Sequence, residues 1–85
     1  GTIKDTEMQS EARTKMAIEL YRKAINKGSI NALYAFPIWG LDTITVWFNK
    51  EFRNELCGYL AKGLSLEPNH SFGDIGRNVN KSKCS

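Results

Sequence analysis

Histidine is almost missing from this chain, and cysteine, proline and long apolar runs are scarce. The single histidine is His70, and the two cysteines, Cys57 and Cys84, form no CxxC pair. This excludes the usual zinc and dithiol motifs, which need clustered ligands or closely spaced thiols. The sequence therefore implies neither a metal nor a cofactor. No apolar run approaches the ~20 residues of a membrane-spanning helix. The longest candidate, Ile44 to Phe48, is interrupted by Thr45 and bounded by Asp42 and Asn49. A soluble domain is expected, and Gly1 is compatible with a removed leader without requiring one. Charge is thin as well. The net +3 divides into +2 over residues 1–27, −1 over 28–48, zero over 49–67 and +2 over 68–85. No segment has the dense basic run that neutralises a phosphate backbone, so nucleic acid is not an expected partner.

What the sequence does have is an apolar stripe at helical spacing. Leu41, Ile44, Trp47, Phe48, Phe52, Leu56, Tyr59, Leu60 and Gly63 follow one another at steps of one, three or four residues. That places the large side chains on one side of a helix about six turns long. The stripe predicts a helix over 42–62, capped by Asp42 and ended by Gly63. The run Thr43 to Phe48 has the β-branched and aromatic composition of a strand. A lone strand would lack a partner, however, and the helical period continues into Phe52 and Leu56. A break at Asn49 stays open.

An earlier helix is predicted over 6–27. Thr6 and Gln9 fit a capping box, and Met8, Ala12, Met16, Ala17, Leu20, Tyr21 and Ala24 supply an apolar face. Lys27 and Gly28 close it, with a cation at the C-terminal dipole and a residue free to take positive φ. Ser29 can cap a short helix over 29–36, and Pro37 disfavours helical geometry at Phe36. The fold class expected is all-α, a single domain over 1–85. Residues 1–5 form an unstructured start, 6–67 a helical core of three helices (long, short, long), and 68–85 an extended tail. The tail is rich in Asn, Ser, Gly and Lys, with Phe72, Ile75 and Val79 as its only apolar anchors.

Two segments carry a family resemblance. Residues 17–28 with Asn31-Ala32-Leu33-Tyr34-Ala35, and Tyr59-Leu60-Ala61-Lys62-Gly63 with Leu64-Ser65-Leu66-Glu67-Pro68-Asn69, resemble Sel1-like and tetratricopeptide helical repeats. The resemblance covers about half the chain and implies a helix-pair scaffold that binds proteins. Pro37 interrupts where a first helix should continue, and only one and a half units fit where a solenoid needs about three.

Few residues offer chemistry. In an oxidising compartment Cys57 and Cys84 could bond, tying the tail to the long helix and contributing about 3–4 kcal/mol through loop closure. A thiol paired with His70 would be a nucleophile and base, but no third orienting group accompanies them. Glu51 and Glu55, one turn apart, sit among Lys50, Arg53 and Asn54 and read as a solvated face. Gly73-Asp74-Ile75-Gly76 reads as a turn. Asn69-His70-Ser71 and Asn80-Lys81-Ser82 match the glycosylation sequon, which matters only in a eukaryotic secretory protein. The aromatic residues Tyr34, Phe36, Trp39, Trp47 and Phe48 crowd around Pro37, and such side chains serve as core or as binding anchors. An 85-residue domain has trouble burying two tryptophans completely, so a contact site at Tyr34, Phe36, Trp39 and Trp47 is expected.

Together these features predict a non-catalytic protein-binding module, periplasmic or secreted and stapled by Cys57–Cys84. An inhibitor, an immunity protein or an assembly factor would each suit it. The alternatives are a cytoplasmic repeat-like adaptor with free thiols and a small toxin or thiol enzyme. Strong membrane association is not expected, because the first helix is too mildly apolar. The oligomeric state is not encoded in any feature above.

Overall fold

In the computed structural model of the chain, the backbone is described over residues 2–43 and 50–84, and side chains over 10–42 and 50–84. These residues form four α-helices and, among them, no strand. They are α1 (Thr2–Asn26), α2 (Ile30–Thr43), α3 (Lys50–Leu66) and α4 (Gly73–Lys83). The all-α expectation holds; the count of three and the extended tail are corrected to four helices.

The α1–α2 corner follows from sequence chemistry. Gly28 adopts φ +92°, a conformation costly for any residue with a Cβ. The Gly28 amide donates to the Ile25 carbonyl at 2.9 Å and the Ser29 amide to the Ala24 carbonyl at 3.0 Å. This crossed pair is the Schellman arrangement, and it satisfies carbonyls the helix end would otherwise strand. Ser29 then caps α2, its hydroxyl accepting the Ala32 amide at 3.2 Å. At its other end α1 begins at Thr2, ahead of the expected Thr6 cap.

The apolar face of α1 is the expected one only in part: Ala17, Tyr21 and Ala24 are partly buried. Ile18 is buried, with Tyr21 and Ile25 partly buried against the same cluster. Met16 and Leu20 point to solvent instead.

α2 is the centre of the fold and packs against each of the other three helices. Ala32, Leu33, Tyr34, Phe36, Pro37 and Leu41 are all buried. Pro37 does not break it: the helix runs from Ile30 to Thr43 with the proline inside. An interior proline removes a hydrogen bond and costs about 3 kcal/mol. Burying side chains such as Phe36 and Leu41 returns roughly 1.5–3 kcal/mol each, so tertiary packing overrides the local rule. Asp42, expected to cap the next helix, lies in the last turn of α2.

α3 buries Phe52, Leu56, Leu60 and Gly63, the stripe read from the sequence. It does not stop at Gly63 but continues to Leu66. Ile44, Trp47, Phe48 and the possible break at Asn49 lie outside the described residues.

α4 occupies the segment expected to be extended. Asp74 in its first turn and Lys81 and Lys83 in its last complement the helix dipole. Its buried positions are Gly73 and Gly76. The expected anchors Phe72 and Ile75 are exposed, and Val79 alone among the three packs on the core.

Candidate functional site

Tyr34 and Phe36, both expected at a contact surface, are fully buried, each with 0% exposure. The Tyr34 ring is held edge to edge between two glycines. A Cβ on Gly63 of α3 would lie 3.3 Å from one edge, and a Cβ on Gly76 of α4 3.0 Å from the other. The hydroxyl donates to the Glu67 carbonyl at 2.6 Å, and His70 stacks on the ring at 4.7 Å. One aromatic residue thus joins α2, α3, α4 and the intervening loop. The glycines are small because the tyrosine needs their space.

Phe36 organises the opposite end of the core. Tyr21 stacks on it at 5.1 Å, Trp39 lies at 6.3 Å, Phe52 meets it edge-on at 6.0 Å and Tyr59 at 5.9 Å. Trp39 is partly buried, also against Tyr21 at 5.6 Å. Of the four expected contact residues it alone reaches solvent among those described; Trp47 lies outside them.

Glu55 is occupied structurally. The Arg22 guanidinium of α1 grips both its carboxylate oxygens, at 2.8 and 3.0 Å, and the Tyr59 hydroxyl donates to it at 2.8 Å. Burial alone would push the Glu55 carboxyl up, but the hydrogen bonds from Arg22 and Tyr59 and the guanidinium charge hold it below its usual value. Burial, then the bond to Glu55, raises the Tyr59 phenol. The bond to Glu55 outweighs burial in raising Arg22. Glu51 is exposed in the first turn of α3.

His70 is equally committed. The Phe72 amide donates to Nδ1 at 3.0 Å, so the proton sits on Nε2, which donates to the Asn31 carboxamide oxygen at 2.6 Å. Both ring nitrogens are engaged, and neither faces a thiol. Cys57 and Cys84 stand at disulfide distance, with sulfurs 2.17 Å and Cα atoms 5.7 Å apart. They bring the end of α4 onto α3 beside Arg53, which donates twice to the Lys83 carbonyl, at 2.6 and 3.1 Å. Arg77 holds the other end of α4, donating to the Pro68 carbonyl at 2.9 Å and pairing with Asp74. No group of three or more potential metal ligands occurs among the described residues, and no described helix is long and apolar enough to cross a membrane. Of the two sequon asparagines, Asn69 is exposed and Asn80 partly buried.

Among the described residues, the large apolar side chains left in solvent fall in two places. Leu66, Phe72 and Ile75, exposed at 55%, 38% and 52%, mark the α3–α4 corner. A shallow open depression of about 360 Å³ lies there, lined by Leu66, Glu67, Pro68, Asn69 and His70. Met16 and Leu20 mark the outer face of α1. The sequence pattern hides both, because it places Met16 and Leu20 on the apolar face of the first helix and Phe72 and Ile75 among the tail anchors. No protein-family model, curated protein or solved structure matches this chain.

Proposed function

We propose that the chain is a small non-catalytic protein-binding module of the inhibitor, immunity-protein or assembly-factor kind. It works outside the cytoplasm with Cys57 and Cys84 bonded. The observation that carries this reading is the α3–α4 corner. Leu66, Phe72 and Ile75 stand in solvent there, around a loop fixed from beneath by Tyr34, His70 and Asn31. Exposed apolar side chains on a pre-ordered loop lose little entropy when a partner covers them. The cysteine pair supports an oxidising compartment, where such bonds persist.

The test is affinity capture from the native secreted or periplasmic fraction, with the parent protein and the pair Phe72→Ala/Ile75→Ala, and with Trp39→Ala beside them. Retention of one defined protein by the parent and its loss by the corner pair, at unchanged melting temperature, supports the reading. Equal capture by parent and corner pair moves the contact elsewhere. Thiols that alkylate without prior reduction in protein from its native compartment favour the repeat-like cytoplasmic adaptor instead.

A further inference from the structure

α4 is held more thinly than α2 and α3. Those two helices bury large side chains such as Phe36, Leu41, Leu56 and Leu60, whereas the buried positions of α4 are Gly73 and Gly76. Val79 is partly buried on the core. Polar ties at the two ends, Arg77 to the Pro68 carbonyl and Arg53 to the Lys83 carbonyl, are exposed. What α4 covers is apolar, since Gly76 lies against the Tyr34 ring and Leu60 Cδ1. A helix of 11 residues with two glycines is too short and too weak in propensity to persist away from that surface. Its docking and its folding are therefore one event, and the link from Cys84 to Cys57 of α3 biases that event toward the docked state.

The surroundings of the bond favour its reduction. Cys57 and Cys84 are each only partly buried. Arg53 precedes Cys57 by four residues, on the same face of α3, and its guanidinium extends to the Lys83 carbonyl beside Cys84. Lys81 and Lys83 stand in the last turn of α4. The acids of these two helices lie elsewhere. Glu55 is gripped by Arg22 and Tyr59, Glu51 is about 120° round α3 from Cys57, and Asp74 is in the first turn of α4. Cations beside a disulfide attract the incoming thiolate and stabilise the one that leaves. We propose that Cys57–Cys84 is a redox switch, closed when bonded, which a dithiol reductant opens to release α4 from the surface of α2 and α3. One thiolate of the reductant bonds to the Cys84 sulfur, the S–S bond breaks, and Cys57 leaves as a thiolate beside Arg53. The second thiol of the reductant then displaces Cys84. The cysteine pair gains two electrons and two protons, and the reductant becomes a disulfide. Ile75 belongs to α4 and Leu66 to α3, so release also takes the α3–α4 corner apart. That last consequence rests on the binding role proposed above; the release of α4 does not.

Amide hydrogen exchange of the chain alone, first oxidised, then reduced with dithiothreitol and then reoxidised, tests this directly. The expected result is loss of protection over Gly73–Lys83 on reduction, with protection kept over Ile30–Thr43 and Lys50–Leu66 and recovered in full on reoxidation. A dye that binds exposed apolar surface should brighten in the reduced chain as Tyr34 and Leu60 are uncovered. The bond should also open in a glutathione buffer of cytosolic poise, which structural disulfides of secreted proteins resist. Lys81→Gln/Lys83→Gln should slow its reduction by dithiothreitol several-fold while leaving the oxidised fold unchanged. Protection of α4 that survives reduction overturns the proposal, as does loss of α2 and α3 together with α4, or a bond that glutathione leaves intact. A Lys81→Gln/Lys83→Gln variant reduced as fast as the parent overturns the part given to the cations. No partner is present in these measurements, so a corner that binds nothing leaves their outcome unchanged.

Discussion

Replacing Cys57 and Cys84 together by alanine should cost a large fraction of the stability of this domain. The two residues are 27 positions apart, and closing a loop of that length removes about 3.5 kcal/mol of chain entropy from the unfolded state. Marginal domains have a total of only about 5–15 kcal/mol. At roughly 4–8 °C per kcal/mol for a domain of this size, the melting temperature should fall by about 14–28 °C. α4 should suffer first. It contributes two glycines and Val79 to the packed interior, and exposed hydrogen bonds of Arg53 and Arg77 are among its further ties. Urea unfolding followed by far-ultraviolet circular dichroism gives the free energy. Amide hydrogen exchange gives the location, and protection over Gly73–Lys83 should be lost well before that of α3. The double variant avoids leaving one unpaired thiol, and alanine suits sites packed against the core. A loss below about 1 kcal/mol, the scale of one ordinary hydrogen bond, would refute both the bond and the role given to it. So would α4 protection equal to that of the parent.

The glycine clamp on Tyr34 predicts opposite signs for two similar changes. Gly76→Ala gains about 1 kcal/mol of helix propensity but puts a methyl 3.0 Å from a fixed ring and 3.2 Å from Leu60. Overpacking of this kind costs about 1–3 kcal/mol, so a net loss on the order of 1 kcal/mol is expected. Gly58→Ala meets nothing within 4 Å and should stabilise α3 by up to about 1 kcal/mol; urea midpoints that move the same way in both variants would contradict the clamp. The Glu55 carboxyl is held below its usual value in the folded state, so its contribution is present above the unfolded value of about 4.3 and is lost as pH falls through the lower folded value. Glu55→Gln should therefore flatten that acid limb of the stability curve. At neutral pH it should cost under about 1 kcal/mol, because Arg22 and Glu55 are partly exposed. Acid limbs that superimpose for parent and variant would show that the Arg22 grip is not energetically coupled to folding.

Local chemistry was the readable part of this sequence. Gly28 at the end of α1, Ser29 at the start of α2, and the Phe52–Leu56–Leu60 row of α3 all stand where residue types and spacing put them. The failures occur where a local rule met a tertiary one. Pro37 reads as a break because the rule for the preceding residue considers only the backbone, whereas Phe36 and Pro37 are both fully buried. On α1 two apolar rows coexist, one through Met16 and Leu20 and one through Ile18 and Ile25. Periodicity cannot choose between them, since both repeat every three or four residues. α4 was hidden by its glycines. Gly73 and Gly76 lower helix propensity, yet a close approach to the Pro68 carbonyl and the Tyr34 ring requires residues without a Cβ there.

The aromatic residues illustrate why crowding in the sequence is a poor guide to a contact surface. Tyr34, Phe36 and Trp39 lie on α2, and among the described residues the backbone of α2 packs closely on all three other helices. Aromatic side chains on a central helix have the least access to solvent, so their density there reflects the core of a small domain. The solvent-facing apolar residues belong to the peripheral elements, α1 and the α3–α4 corner, where each looked like an isolated anchor. This has a direct consequence for mutational mapping. Alanine at Tyr34 or Phe36 removes a fully buried ring, at a cost of about 3–5 kcal/mol, and would abolish any binding by unfolding the scaffold. Loss of binding in those variants carries no information about contact. Trp39, Phe72 and Ile75 can be truncated with far less damage, and only changes of that kind separate a partner surface from the framework beneath it.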